Sequence, residues 1–316
     1  MNRLGVLSAA ALLASGLAAP AIARERIAFI SYIAPGDLLF SIIVKGAQDA
    51  ADLLDADVDF QWGDSDPVKI NNLIETAITS GYDGIAVVLP EPDAYDESVC
   101  NAVKAGIPVI AFNIDDPEGG NGNCRFSFVG QDFEPAGYAL GKRLVEEAGL
   151  KSGDRVFLSV EFAEASYATL RRQGVDRALA EVGATSDMIG LGLDPSGVLD
   201  GQVQYLLGHS DIAAAVTLGS VTGRTIVQAL DEVGLSKVPV AVFDMSTEIM
   251  DGIKSGRIIA AADQQPYEQG FYPVVQIVNY SRYGLYPATI STGGKGLTDR
   301  ASVEGIDIDS LLGVYR

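Results

Sequence analysis

Residues able to do chemistry collect where the apolar runs of this chain end. Tyr32 and the segment up to Phe40 follow the first run, Trp62-Gly63-Asp64 the second, Pro90-Glu91-Pro92-Asp93 the third and Asn113-Ile114-Asp115-Asp116 the fourth. In the second half, Glu161-Phe162, Gly219-Ser220, Asp244-Met245 and Asp263-Gln264-Gln265 stand at equivalent places. The mixture is aromatic rings, carboxylates and carboxamides. Rings offer flat apolar faces to C–H patches, and the polar groups offer fixed donors and acceptors to hydroxyls. A pocket for a sugar or polyol needs both.

Other chemistries lack their residues. There is no Walker-type phosphate loop, Gly190-Leu191-Gly192 misses the third glycine of a dinucleotide site, and no G-x-S-x-G nucleophile turn occurs. The single histidine, His209, lies between a predicted helix and strand on the edge opposite the polar rims and reads as a surface-turn residue. One histidine also excludes a His-rich zinc site, and Asp307-Ile308-Asp309 lacks the rest of a calcium loop. No metal and no cofactor is expected. Asp37, Asp115, Glu161, Asp244 and Asp263 form a pool from which a glycoside-hydrolysing carboxylate pair could come. Acidic residues are so common here that such a pair is expected by chance, so a secreted carbohydrate-active enzyme is the second reading.

The elements that must carry these rims alternate. Strands are predicted at 27–31, 58–62, 85–89, 109–112 and 126–129, with helices at 39–54, 67–79 and 98–105 between them. The pattern restarts with a helix at 135–147 and strands at 156–160, 187–191, 213–218, 240–243 and 258–262. Helices at 165–181, 199–207, 222–233, 247–255 and 267–283 follow these strands in turn, before an irregular tail. The strands are nearly continuous Val, Ile, Ala and Phe, as in parallel strands buried on both faces. Asp66 before Pro67 starts a helix, and Gly81 and Gly106 stop two others. Repeated βα units predict doubly wound α/β sheets, and the strands are too many for one sheet of ordinary size. Two lobes are expected, with ligand beyond the carboxyl ends of their strands.

The first 23 residues read as a secretory signal: Arg3, an Ala/Leu-rich run from Leu4 to Ala18, then Ala21-Ile22-Ala23 as the cleavage site. The run is shorter than the roughly 20 apolar residues of a membrane span. A formal charge of −20 makes nucleic acid and anionic membranes poor partners. The two cysteines, Cys100 and Cys124, are either one disulfide or two buried thiols; export favours the disulfide.

The chain resembles the sugar-binding proteins of ABC transporters, of the ribose-binding type. The resemblance rests on Val44-Lys45-Gly46-Ala47-Gln48, Gly106-Ile107-Pro108-Val109-Ile110, Phe128-Val129-Gly130-Gln131-Asp132, Arg171-Arg172-Gln173-Gly174, Val242-Phe243-Asp244 and Ala262-Asp263-Gln264-Gln265-Pro266-Tyr267, in this order and spacing. It implies an α/β fold of two Rossmann-like lobes with parallel sheets and a three-crossing hinge, the type I periplasmic binding protein fold. The crossings would lie near 130–132, 263–265 and 288–292. The lobes would be 24–131 plus 265–290 and 132–264 plus 291–316. A periplasmic monomer is implied, which closes over a small neutral or weakly cationic carbohydrate and delivers it to an inner-membrane permease. A ligand-presenting role toward a chemoreceptor is compatible with the same sequence.

The resemblance also proposes ligand contacts. Phe40, with Leu39 beside it, matches a pair that stacks on the sugar, and Asp244 and Gln264 match hydroxyl-binding residues. Asp37 stands where Asn is frequent, Asn113 where Asp is usual, Ile114 where Arg is usual, Thr169 where Arg is frequent and Gly219 where Asn is frequent. Trp62 and Asp115 complete the candidate set. Phe40 competes with a core role, Trp62 with lobe packing, and Gln264 with hinge hydrogen bonding. With no arginine at the two expected positions the pocket reads as acceptor-rich, so the expected ligand is unlike plain ribose: a polyol, another aldose or an amino sugar. No catalytic residue is expected.

Overall fold

The computed structural model describes residues 24–33, 35–36, 38–293 and 296–304. The predicted signal segment, Asp37 and Asp307-Ile308-Asp309 lie outside the described residues. In the first half, β1 (Arg26–Ser31), β2 (Asp57–Trp62), β3 (Gly84–Val87), β4 (Val109–Asn113) and β5 (Ser127–Gly130) alternate with α1 (Leu38–Leu54), α2 (Pro67–Thr79), α3 (Asp96–Lys104) and α4 (Gly120–Asn123). The second half runs α5 (Phe133–Ala148), β6 (Arg155–Val160), α6 (Ser166–Ala180), β7 (Thr185–Gly190), α7 (Pro195–Gly208), β8 (Ala214–Thr217), α8 (Ser220–Glu232), β9 (Val240–Phe243), α9 (Thr247–Ser255) and β10 (Ala260–Ala262). Then come α10 (Pro266–Tyr283), β11 (Ile290–Ser291), β12 (Thr298–Asp299) and α11 (Arg300–Glu304).

The strands form two sheets of matching order, β11-β5-β4-β3-β1-β2 and β12-β10-β9-β8-β6-β7. All pairings are parallel except that of β12 with β10. β1, β3, β4, β8 and β9 are buried along almost their whole length, which is why they read as unbroken apolar runs. β7 is an edge strand with exposed positions and a correspondingly mixed sequence, Thr-Ser-Asp-Met-Ile-Gly. The glycine- and asparagine-rich stretch Gly120–Asn123 forms the single-turn α4, closed by Cys124 at φ 61°.

The chain passes between the sheets after β5, after β10 and after β11. The third passage follows Ser291 and reaches the second sheet at Thr298, later than the predicted 288–292, because Ile290 and Ser291 still pair with β5. The predicted irregular tail instead supplies an antiparallel edge strand and a helix whose Val303 is buried beside α9.

Each lobe contains one helix pair packed unusually closely, and both pairs rely on glycine. α1 meets α10 so closely that a Cβ on Gly46 would stand 2.0 Å from the Tyr267 carbonyl oxygen, and one on Gly270 would stand 1.8 Å from that of Ile43. α5 meets α6 likewise through Gly137 and Gly174. These crossings fix the helix starts that bring Leu39, Phe40, Phe133, Tyr167 and Arg171 to the strand ends.

Candidate functional site

The carboxyl ends of β1, β4, β6, β8, β9 and β10 converge between the lobes on a cleft. Its outer part is a cavity of about 350 Å³ lined by Ile33, Leu39, Leu193, Ser220, Arg224, Asp244 and Met245, among others. An inner chamber of about 60 Å³ lies deeper, where Tyr32, Phe40, Asn113, Phe133, Glu161, Tyr167, Arg171, Gly219, Asp244 and Gln264 meet.

Asn113 and Asp244 end β4 and β9 in left-handed conformations, φ 63° and 67°. Asn and Asp tolerate this region better than other non-glycine residues. The two residues occupy matching places in the two sheets, and Gln264, just after β10, joins them. Asn113 Nδ2 donates to Gln264 Oε1 at 3.0 Å, and Gln264 Nε2 donates to Asp244 Oδ1 at 2.5 Å. Asn113 Nδ2 also donates to Gln269 Oε1 at 2.9 Å. Gln269 Nε2 donates to the Gln264 carbonyl at 2.9 Å, to Gln264 Oε1 at 3.2 Å and to Thr292 Oγ1 at 3.0 Å. The carboxamide chain therefore runs from the first lobe through two crossings to the second, and each member's direction is set by the next.

Arg171 corrects the expectation of a pocket without arginine. Its side chain is 2% exposed, and its guanidinium lies 4.2, 4.8 and 5.4 Å from the ring centres of Phe243, Phe133 and Tyr167. Nη1 donates to the Leu218 carbonyl at 2.7 Å and sits 3.8 Å from Asp244 Oδ2. Nη2 reaches Gln131 Oε1 at 3.4 Å, and Nε has no hydrogen-bond partner among the described residues. Burial pushes the guanidinium pKa down while Asp244 pushes it up; an arginine stays charged through such a shift.

Glu161 is the second buried charge. Oε1 accepts from the Val221 and Thr222 amides at 2.7 and 3.3 Å, at the start of α8, and Oε2 accepts from the Tyr167 hydroxyl at 3.2 Å. Burial raises the Glu161 pKa, and the Asp244 charge adds to the rise. Gly219 makes room for it: a Cβ there would lie 1.7 Å from Glu161 Oε2. The glycine thus serves the carboxylate rather than presenting a polar group of its own.

The remaining candidates fall out by position. Phe40 is 1% exposed and lines the inner chamber, edge-on to Tyr32 and Phe112 at 6.0 and 6.5 Å, so it is both core and wall. Leu39 lines both parts of the cleft. Thr169 lies on α6 facing a neighbouring chamber, its hydroxyl donating to the Ser166 carbonyl at 3.0 Å. Trp62 ends the edge strand β2 beside Ser31 and lines neither part of the cleft. Asp115 is turned away to hold Arg125 by two hydrogen bonds and also lies outside the lining. Cys100 and Cys124 are joined, with Cα atoms 5.0 Å apart, tying α3 to the end of α4. His209 stacks on Tyr205 at 4.1 Å and its Nδ1 lies 2.8 Å from the Tyr205 carbonyl. Among the described residues no three His, Cys, Asp or Glu side chains group as a metal site, and no helix is long and apolar enough to cross a membrane.

Sequence reasoning misses Tyr167, Phe133 and Leu193, and it reads Arg171 as a structural partner to an acidic neighbour, which Asp244 is, rather than as lining of the cleft. The available signal was the spacing on α6: Tyr167 and Arg171 are four apart, hence on one face, and Gly174 marks that face as tightly packed. The chamber so formed offers charge-assisted donors, amide donors, carboxylate acceptors and ring faces, with opposite charges within 4 Å of each other. It can replace the hydration shell of a compact polyhydroxyl molecule.

Comparison with known proteins gives a consistent picture. The family model of the periplasmic binding protein domain matches residues 27–284. The xylose/arabinose-binding protein XylF of Sulfolobus acidocaldarius is 30% identical over 293 residues, covering 87% of this chain and 71% of its own. The ribose import binding protein RbsB of Salmonella typhimurium is 25% identical over 275 residues, covering 85% and 89%. Among solved structures, a carbohydrate transporter protein of Acidothermus cellulolyticus in complex with myo-inositol superposes with a TM-score of 0.81 at 29% identity, covering 92% of this chain and 99% of its own.

Proposed function

This chain belongs to the periplasmic binding protein family, and we propose that it captures a neutral monosaccharide or cyclic polyol in the periplasm and hands it to an ABC transporter permease. Residues 1–23 would be the export signal, removed near Ala23. Binding would favour the closed form by its higher affinity for it, and the permease would read that form. No catalytic step is assigned to the chain.

One observation carries this reading: Asn113 from the first lobe, Arg171 and Asp244 from the second and Gln264 from a crossing between them line a single chamber with aromatic walls. Vicinal hydroxyls suit that set, since each accepts from the guanidinium or an amide and donates to Asp244. Arg171 beside Asp244 also answers the amino-sugar alternative. An ammonium group would meet a carboxylate already facing a cation, so neutral ligands fit better. The relatives named for xylose and arabinose, ribose and myo-inositol set the candidates.

Thermal-shift screening of the mature chain with D-xylose, L-arabinose, D-ribose, myo-inositol and D-galactosamine, followed by calorimetry, tests it. The expected result is saturable one-to-one binding of a neutral member, stabilisation that grows with ligand concentration, and unchanged ligand afterwards. Absence of binding across a broad sugar and polyol panel, or conversion of the ligand, would overturn it.

A further inference from the structure

The cleft does not end at the inner chamber. On the side of Tyr32, Ile114, Phe162 and Tyr167, which line both spaces, it continues into a second chamber of about 540 Å³. Pro90 of the first lobe and Leu170 of the second add to its walls. The lobes touch across it: Ser166 Oγ comes within 3.5 Å of the Pro90 carbonyl. The space therefore persists while the lobes are in contact.

Its chemistry differs from that of the inner chamber. Three wall hydroxyls are committed within the protein: Tyr167 to Glu161, Thr169 to the Ser166 carbonyl and Ser166 toward Pro90. Glu91 accepts from the Tyr95 hydroxyl, and Glu164 and Ser65 are exposed. A second sugar ring placed here would find only Glu91, Glu164 and Ser65 as replacement partners, so most of its hydroxyls would give up hydration uncompensated, which is costly. An apolar group would gain by covering rings, prolines and aliphatic side chains.

We infer that the second chamber is an aglycone site, so that the protein takes glycosides bearing an aryl or similarly apolar substituent in addition to free sugars. This rests on the carbohydrate reading above and narrows it to a substrate class. The glycosidic oxygen would sit at the passage bounded by Tyr32, Ile114, Phe162 and Tyr167, with the sugar on the Arg171 side and the substituent against Leu170.

Matched triplets test this by calorimetry on the mature chain: the free sugar, its methyl β-glycoside and its phenyl β-glycoside, for D-xylose, L-arabinose, D-ribose, D-glucose and D-galactose. In at least one triplet the phenyl glycoside should bind about tenfold more tightly than the methyl glycoside, the gain expected for partial burial of a ring. Ala165→Phe, which fills the chamber, and Leu170→Ala, which strips its wall, should each reduce that ratio to about one while leaving free-sugar affinity within about twofold. Equal or weaker phenyl binding in every triplet with a binding member would overturn the inference and leave the carbohydrate reading standing. So would a phenyl advantage that survives both substitutions. Failure of every free sugar and glycoside to bind would overturn both.

Discussion

At the scale of single residues the site is an arrangement of buried polar groups, each with a partner that explains its burial. Arg171 is the centre of it. A planar fork of donors held between three rings and Asp244 presents N–H groups in fixed directions, a geometry that a compact ammonium does not reproduce. Arg171→Lys is therefore expected to weaken ligand binding by about tenfold to a hundredfold, in the range of one charge-assisted hydrogen bond, with little change in the far-ultraviolet spectrum. Calorimetry checks this, and near-normal affinity in the lysine variant would remove Arg171 from the site. Glu161 supports a pH prediction. Its pKa is raised in the folded chain, so between the ordinary carboxyl range and that raised value the native state holds more proton than the unfolded one. Stability contributed here is present at low pH and is lost as pH rises through the folded value. Relative to Glu161→Gln, the wild type should thus become less stable with rising pH over that window and then level off. Urea denaturation of both proteins across the acid range reads the difference; a parallel pair of curves would mean the carboxyl is not perturbed. Asn113, Asp244 and Gln264 were legible in the sequence because each follows a buried apolar run, where an unpaired polar group is costly. Arg171 was legible only as a structural partner to an acidic residue, because the rings that bury it and bring it to the cleft come from α5, α6 and β9.

At the scale of elements, function depends on how closely two helix pairs approach. α6 carries Tyr167 and Arg171, and its distance from α5 is set by Gly137 and Gly174. A Cβ at Gly174 would stand 2.1 Å from the Glu134 carbonyl oxygen, and backbone cannot yield as a side-chain end would. Gly174→Ala should cost about 1–3 kcal/mol of stability and also weaken ligand binding, because the helix that moves away takes the guanidinium with it. Gly208→Ala is the control, since nothing lies within 4 Å of its Cβ position. Chemical denaturation and calorimetry on both variants make the comparison, and equal tolerance at the two positions would contradict the packing argument. Element type and the division into two lobes were readable from alternation of apolar runs with amphipathic segments, whereas the order of strands within each sheet was not. The glycines were visible as part of short recurring motifs, but nothing local says which of them touches a neighbour. That depends on the crossing of helices distant in the chain, as does the pairing of Gly219 with Glu161.

At the scale of the whole molecule, opening and closing must pass through three chain crossings, and Gln269 sits where they can be coupled. It is fully buried, bonded to Asn113 at the end of β4, to Gln264 in the second crossing and to Thr292 in the third. The same carboxamide that braces the hinge also fixes which way Gln264 and Asn113 present their own amides to the cleft. In the lobe arrangement described, all of these bonds are made together, and a change of lobe angle is expected to break some of them. Gln269→Leu keeps the volume roughly constant but strands the Thr292 hydroxyl and one Gln264 acceptor, each a loss of about 1–3 kcal/mol if unrelieved by water. The expected outcome is weaker ligand binding without any contact to the ligand, together with a larger ligand-free radius of gyration in small-angle scattering, because the closed arrangement loses more bonds than the open one. Gln269→Glu separates geometry from hydrogen bonding: it retains the acceptor that Asn113 uses and loses only the donations. It should fall between wild type and Gln269→Leu in both measurements. A leucine variant with unchanged affinity and unchanged scattering would show instead that the buried amides merely satisfy one another and do not set the lobe arrangement.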